Sequence, residues 1–206
     1  MFAIITFLII LLSGLIFFSK LKKRGIELKD VINHFTTESK KILSSSINDK
    51  NRFESFIKFK YSILYLTLAM FLILFLSSFL PTLFTGEHLT GLFLVIHVTL
   101  APVFAVAISL LLLFFSFSFK LNQEDFENLP RIKEDNKSVN NTKVKLTFWI
   151  LALISIPLLS SIILILYPIL GTESQNWNII IHRISAMLFS IFVLVLIYYI
   201  FGSKKV

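Results

Sequence analysis

YSILYLTLAMFLILFLSSF, residues 61–79, is an uncharged run of mostly apolar side chains. An α-helix needs about 20 apolar residues to cross the hydrocarbon core of a membrane, and this run meets that length. Comparable runs lie at Phe2–Phe18, Leu89–Phe117, Leu146–Leu166 and Ile179–Phe201. The sequence therefore predicts an all-α integral membrane protein with five transmembrane spans.

The composition agrees with a membrane protein and limits its chemistry. Of the 206 residues 56% are hydrophobic, and 23 are phenylalanine, whereas a soluble domain has about 45–50% apolar residues. The chain has no cysteine, which excludes a disulfide framework and a thiolate metal site. A metal site would therefore use histidine, carboxylate or methionine ligands.

The distribution of basic residues predicts the orientation of the spans. Eleven Lys and Arg residues fall in residues 19–60, six fall in 119–145, and Lys204 and Lys205 follow the last span. The connections 81–88 and 170–178 contain none. Because basic loops stay in the cytoplasm, we expect the N-terminus outside and the C-terminus inside. We attribute the net charge of +8 to these loops and to anionic lipid, not to nucleic acid.

The spans and loops together predict the organisation of the chain. An N-terminal transmembrane anchor precedes a basic segment, which reads as a solvated linker with a surface helix or as a docking face for a partner subunit. The remaining four spans fit an antiparallel four-helix bundle. The polar loop within the bundle reads as mobile. The predicted parts are the anchor at 1–18, the basic cytoplasmic segment at 19–60, the bundle at 61–201 with its cytoplasmic loop at 119–145, and the tail at 202–206.

Two of the four histidines fall inside predicted spans. We place His97 about 12 Å from the outer end of its helix and His182 about 5–10 Å from the same face. Their helices run in the same direction and lie two apart in the bundle, so the two imidazoles could face a flat group across its core. His88 belongs to the water interface, and we assign no chemistry to His34.

Small residues accompany both histidines. Steps of four from His97 give Ala101, Ala105 and Ser109, while Ser185 and Ala186 follow His182 by about one turn. Such positions leave room for a macrocycle, although small residues also simply let helices approach closely. Haem is the natural group for two histidines in a membrane bundle. Its propionates would point outward, toward Arg183, Asn178 and His88, although Arg183 could instead reach lipid phosphate.

Two stretches resemble the bacterial membrane cytochrome b family, the haem-bearing, quinone-reactive subunits of formate dehydrogenases and nickel–iron hydrogenases. They are LPTLFTGEHLTGLFLVIHVTLAPVF (80–104) and GTESQNWNIIIHRISAMLFSIFVLVLIYY (171–199). Two-haem members carry further ligands on the first bundle helix and about one helix-length along the last. This chain has no histidine in 61–79 and has Val195 thirteen residues after His182.

The resemblance thus implies one haem b, ligated by His97 and His182. It also implies a bacterial inner-membrane subunit that exchanges electrons between quinone and a redox complex, and that is not an enzyme by itself. The cofactor site would include Arg183, Ala101, Ser185, Ala186 and His88, with no catalytic residue.

Two other functions compete with this prediction. In a non-haem scaffold or assembly subunit, His97 would hydrogen-bond to a serine or threonine of a neighbouring helix. A transporter or channel component is disfavoured, because no predicted span carries Asp, Glu or Lys and no inverted repeat is evident.

Overall fold

The protein is helical throughout the part that the structure describes. The computed structural model describes residues 2–27, 29–30, 32–33, 37, 52–85, 89–134, 136–167 and 171–202, and none of these lies in a β-strand. This confirms the predicted all-α class. The helices are α1 (Phe2–Lys23), α2 (Arg52–Thr85), α3 (Gly91–Ser116), α4 (Gln123–Asn128), α5 (Lys137–Leu166) and α6 (Thr172–Gly202), and a 3₁₀ turn (Leu129–Arg131) follows α4.

Four of these helices are long and apolar enough to cross a membrane. The candidate spans are Phe56–Pro81 in α2, Gly91–Ser116 in α3, Lys137–Leu166 in α5 and Thr172–Phe201 in α6. The chain is therefore a multi-pass membrane protein, as predicted. The described part of α1 is not among these candidate spans, so the N-terminal transmembrane anchor stays a prediction.

Helix α3 shows how such a helix divides its surface. Its buried residues include small and large side chains, whereas bulky apolar residues along the rest of the helix are exposed. Exposed leucine and valine at this density are what lipid tails cover in a membrane. The buried residues are Ala101, Phe104, Ala107 and Ile108, and the exposed ones include Leu92, Val95, Val106 and Leu113.

The chain divides into two compact units, each described here by itself: Glu27–Ser118, and Ile4–Ile26 together with Phe119–Val206. In the first unit α2 and α3 form an antiparallel hairpin. The ring of Phe59 near the start of α2 lies 5.7 Å from that of Phe114 near the end of α3. Further along, Ser77 of α2 meets His97 of α3.

The second unit contains the antiparallel hairpin of α5 and α6. Gln175 near the start of α6 donates from Nε2 to the backbone carbonyl of Leu164, at 2.9 Å, near the end of α5. At the opposite end, the Lys143 ammonium lies 5.8 Å from the ring centroid of Tyr199. These contacts fix the register of the two helices along their whole length.

The segment before α5, which we predicted to be a mobile loop, contains α4 and packs against α5. Phe119 stacks on Phe148 of α5 with ring centroids 4.5 Å apart, and Trp149 Nε1 donates to the Phe119 carbonyl at 2.9 Å. Helix α5 itself begins at Lys137, where the Asn136 side chain accepts from the backbone N–H of Val139, a standard N-cap.

A buried ion pair explains why this polar segment folds. The carboxylate of Asp125 in α4 accepts from Lys145 Nζ at 2.6 Å and from the Thr142 hydroxyl at 2.9 Å. Burial alone would raise the pKa of Asp125. Its hydrogen bonds from Lys145, the Asn122 N–H and Thr142, together with the charge of Lys145, lower the pKa by more than burial raises it, so the pKa of Asp125 is lowered overall. The carboxylate is thus the centre that ties α4 to α5.

The end of α1 contacts the end of α6 in the same unit. The Arg24 guanidinium, just beyond α1, lies 4.7 Å from the ring centroid of Tyr198, and Lys20 Nζ lies 5.9 Å from it. Leu21, between them in sequence, is only 1% exposed. Two cations on one aromatic ring and a buried leucine hold this turn of the chain in place.

Candidate functional site

His97 lies in the second turn of α3, about 9 Å along the helix from Gly91. Its Nδ1 atom is 3.2 Å from the Oγ atom of Ser77 on α2. The imidazole also makes a hydrogen bond with the backbone of Leu74. The half-buried ring is therefore oriented by the neighbouring helix of its own hairpin.

His182 repeats this arrangement in the other hairpin. Its Nδ1 atom is 3.2 Å from the Oγ atom of Ser161 on α5. Because α6 begins at Thr172 and not near Ile179 as predicted, His182 lies in the third turn, about 15 Å along the helix. The predicted distance of 5–10 Å refers to the outer membrane face, and it stays a prediction.

The serine hydroxyls are the groups that face Nδ1 of each imidazole. A hydroxyl has one hydrogen to donate, and each serine directs it to a carbonyl of its own helix. Ser161 Oγ donates to Leu158 at 2.8 Å and Ser77 Oγ donates to Leu74 at 3.1 Å. Each hydroxyl thus lies within hydrogen-bond distance of a carbonyl of its own helix and of a histidine Nδ1 on the neighbouring helix. If Nδ1–H donates to the serine oxygen, the lone pair of a neutral ring lies on Nε2.

A tautomer with the proton on Nδ1 would suit a metal ligand. Histidine ligands commonly bind through one nitrogen while the other donates a hydrogen bond that fixes the ring. Within the described part of the chain, no three His, Asp or Glu side chains come together as a metal-binding group. The pairing of His97 with His182 in one site remains a prediction.

The other predicted site residues are distributed as follows. Ala101 and Ser185 are buried, Ala186 is half-buried, and Arg183 is exposed. The predicted small stripe beyond Ala101 does not stay buried, since Ser109 is exposed and bonds to the carbonyl of Ala105. His88 and His34 lie outside the described residues.

Asn178 is the polar residue in this region that most needs a partner. It is 7% exposed, one turn before His182 on α6. Among the residues that the structure describes, no acceptor lies within hydrogen-bond distance of its Nδ2 atom. A buried, unmatched donor at the end of a span fits a group that brings its own oxygen atoms, as haem and quinone both do.

Ser77 and Ser161 are the residues that sequence reasoning missed. Both lie in the tripeptide Leu-Ser-Ser, which occurs at 76–78 and at 159–161 and also at 43–45. The bonded serine precedes its histidine by 20 residues in the first hairpin and by 21 in the second. The bonded serine is the second residue of the tripeptide in the first hairpin and the third in the second, so the tripeptide alone does not identify the pairs.

The chain was compared with protein-family models, curated proteins and solved structures. The chain matches no protein-family model, no curated protein and no solved structure.

Proposed function

We propose that the chain is a b-type cytochrome subunit of a membrane redox complex, with one haem b ligated by His97 and His182. One observation carries the proposal: in both hairpins a histidine Nδ1 lies 3.2 Å from a serine Oγ of the neighbouring helix, and an Nδ1–H that donates to this oxygen would leave the lone pair on Nε2 for a metal. A haem held by two imidazoles supplies reversible one-electron transfer.

The residues near each histidine have defined roles in this proposal. Ala101 and Ala186, each about one turn beyond a histidine, let a flat macrocycle approach the helix backbone. Ser185 shares the buried face of α6. Arg183 and His88 would meet the propionates at the water interface. These roles follow from side-chain size and charge.

The membrane arrangement belongs to the same proposal. Five spans, with α1 as an anchor and the other four as an antiparallel bundle, would place the N-terminus outside a bacterial inner membrane. A single haem near the outer face cannot carry an electron across the bilayer. Electron exchange with quinone and with another subunit of the complex is therefore part of the proposed function.

A non-haem scaffold or assembly subunit is the second candidate. The same hydrogen bonds favour it, because a serine that bridges two membrane helices satisfies a histidine without any cofactor. The additional bond of His97 with Leu74 adds to this support. In that case, both histidines would act only as latches within their hairpins.

A reduced-minus-oxidised absorbance spectrum distinguishes the two candidates. The full chain would be purified from cells that are supplied with haem. We expect the spectrum of a b-type cytochrome, lost in His97→Ala and in His182→Ala. His34→Ala, in the basic segment, is the matched control and should keep the spectrum.

Two results would decide against the cytochrome. A colourless wild-type protein from haem-supplied cells would contradict it, and so would a haem spectrum that survives both histidine substitutions. The scaffold candidate instead predicts no haem difference spectrum in the wild type. It also predicts a lower melting temperature for both alanine variants, because each has lost an interhelical hydrogen bond.

A further inference from the structure

One face of α6 carries a line of polar side chains. Gln175, Asn178, His182 and Ser185 follow one another at steps of three, four and three residues, which places them on the same side of a helix. Gln175 is bonded to the Leu164 carbonyl and His182 to Ser161. Asn178 lies between these two residues.

Asn178 is the unmatched member of this line. Its side chain is more than nine-tenths buried, and its Nδ2 atom has no acceptor among the described residues. A buried amide donor without a partner destabilises the fold. A residue with this cost is expected to bind something.

We infer that Asn178 donates a hydrogen bond to an acceptor oxygen of a redox group bound beside His182. The oxygen is either the carboxylate of a haem propionate or the carbonyl of a quinone. This inference rests on the proposed function. Asn178 precedes His182 by one helical turn, about 6 Å along the axis, so it is suited to the edge of a planar group whose centre is at the histidine.

Asn178→Leu tests the inference, because leucine has a similar volume and no donor. The control is Asn176→Leu, since Asn176 lies two residues away and is exposed. Three quantities are measured in the full chain: the melting temperature without haem, the haem midpoint potential without quinone, and the affinity for a short-chain quinone.

The haem-free Asn178→Leu protein should melt at or above the wild-type temperature, because removing an unmatched buried donor does not destabilise the fold. If the acceptor is a propionate, the midpoint potential falls, since the carboxylate loses the donor that offset its charge. If the acceptor is a quinone, the potential stays and the quinone affinity falls about tenfold. Asn176→Leu should change none of the three.

Each contrary result has its own meaning. A lower melting temperature for haem-free Asn178→Leu would show that the amide bonds within the fold, and it would overturn the inference. Unchanged potential and quinone affinity in a haem-loaded variant would overturn it while leaving the proposed cytochrome intact. A wild-type protein that binds no haem would overturn both the proposed cytochrome function and the inference about Asn178.

Discussion

The Nδ1 atom of His182 and the Oγ atom of Ser161 are 3.2 Å apart on neighbouring helices, and the hydroxyl of this serine is already bonded to the carbonyl of Leu158. The same three-part arrangement of carbonyl, hydroxyl and imidazole occurs at Leu74, Ser77 and His97. Each hairpin thus fixes its histidine with groups of its own two helices. The orientation of each imidazole therefore does not depend on a cofactor.

Replacing the serine removes the hydrogen-bond partner of the imidazole on the neighbouring helix. We expect Ser161→Ala to lower the free energy of unfolding in detergent by about 1 kcal/mol, because membrane hydrogen bonds of this kind contribute about that much. Thermal melting followed by circular dichroism would measure it. Ser160→Ala is the matched control, since Ser160 is exposed and bonds within its own helix to Pro157. Equal melting temperatures for the two variants would show that the hydrogen bond between Ser161 and His182 does not stabilise the hairpin.

The buried pair of Lys145 and Asp125 should stabilise the second unit strongly. Lys145→Met leaves a buried carboxylate without its cation, and removing one partner of a buried pair costs about 3 kcal/mol. The Lys145–Asp125 side chains are 21% and 7% exposed, whereas those of the Arg131–Glu134 pair are 66% and 49% exposed. Arg131→Ala should therefore cost well under ~1 kcal/mol. Denaturant titration of both variants provides the comparison.

The lowered pKa of Asp125 predicts an acid-sensitive contribution to stability. Its usual value is 3.8, and the folded protein holds the proton less tightly than the unfolded chain does. The stabilisation is therefore complete above the usual value and is lost as the pH falls below it. Melting temperatures between pH 6 and pH 3 should fall more steeply for the wild type than for Lys145→Met. Parallel curves would show that another group controls the acid response.

The contact between Arg24 and Tyr198 can be measured with a double-mutant cycle. Arg24→Gln and Tyr198→Leu each remove the cation–π contact, and their combination should cost less than the sum of the two. We expect a coupling energy of about 0.5–1 kcal/mol, obtained from unfolding in detergent. Additive effects would show that the ring and the guanidinium do not stabilise one another.

Apolar runs were enough to predict the four long helices, because a membrane span must satisfy all its backbone groups within itself. Hydropathy could not locate the first two turns of α6, since residues such as Glu173 and Asn178 are polar but helical. It also could not predict α4, whose order depends on the pairing of Asp125 with Lys145, 20 residues away. The histidines were found from sequence, but their serines depend on how the helices of each hairpin pack.

The contact of Arg24 with Tyr198 also bears on how the protein is made. Arg24 follows the first described helix and Tyr198 lies near the end of the last one. The ribosome synthesises Arg24 long before Tyr198, so the guanidinium has no aromatic partner until every intervening helix has been made. Until Tyr198 is made, α1 is without this contact. The contact between Arg24 and Tyr198 can therefore form only late in the synthesis of the second unit.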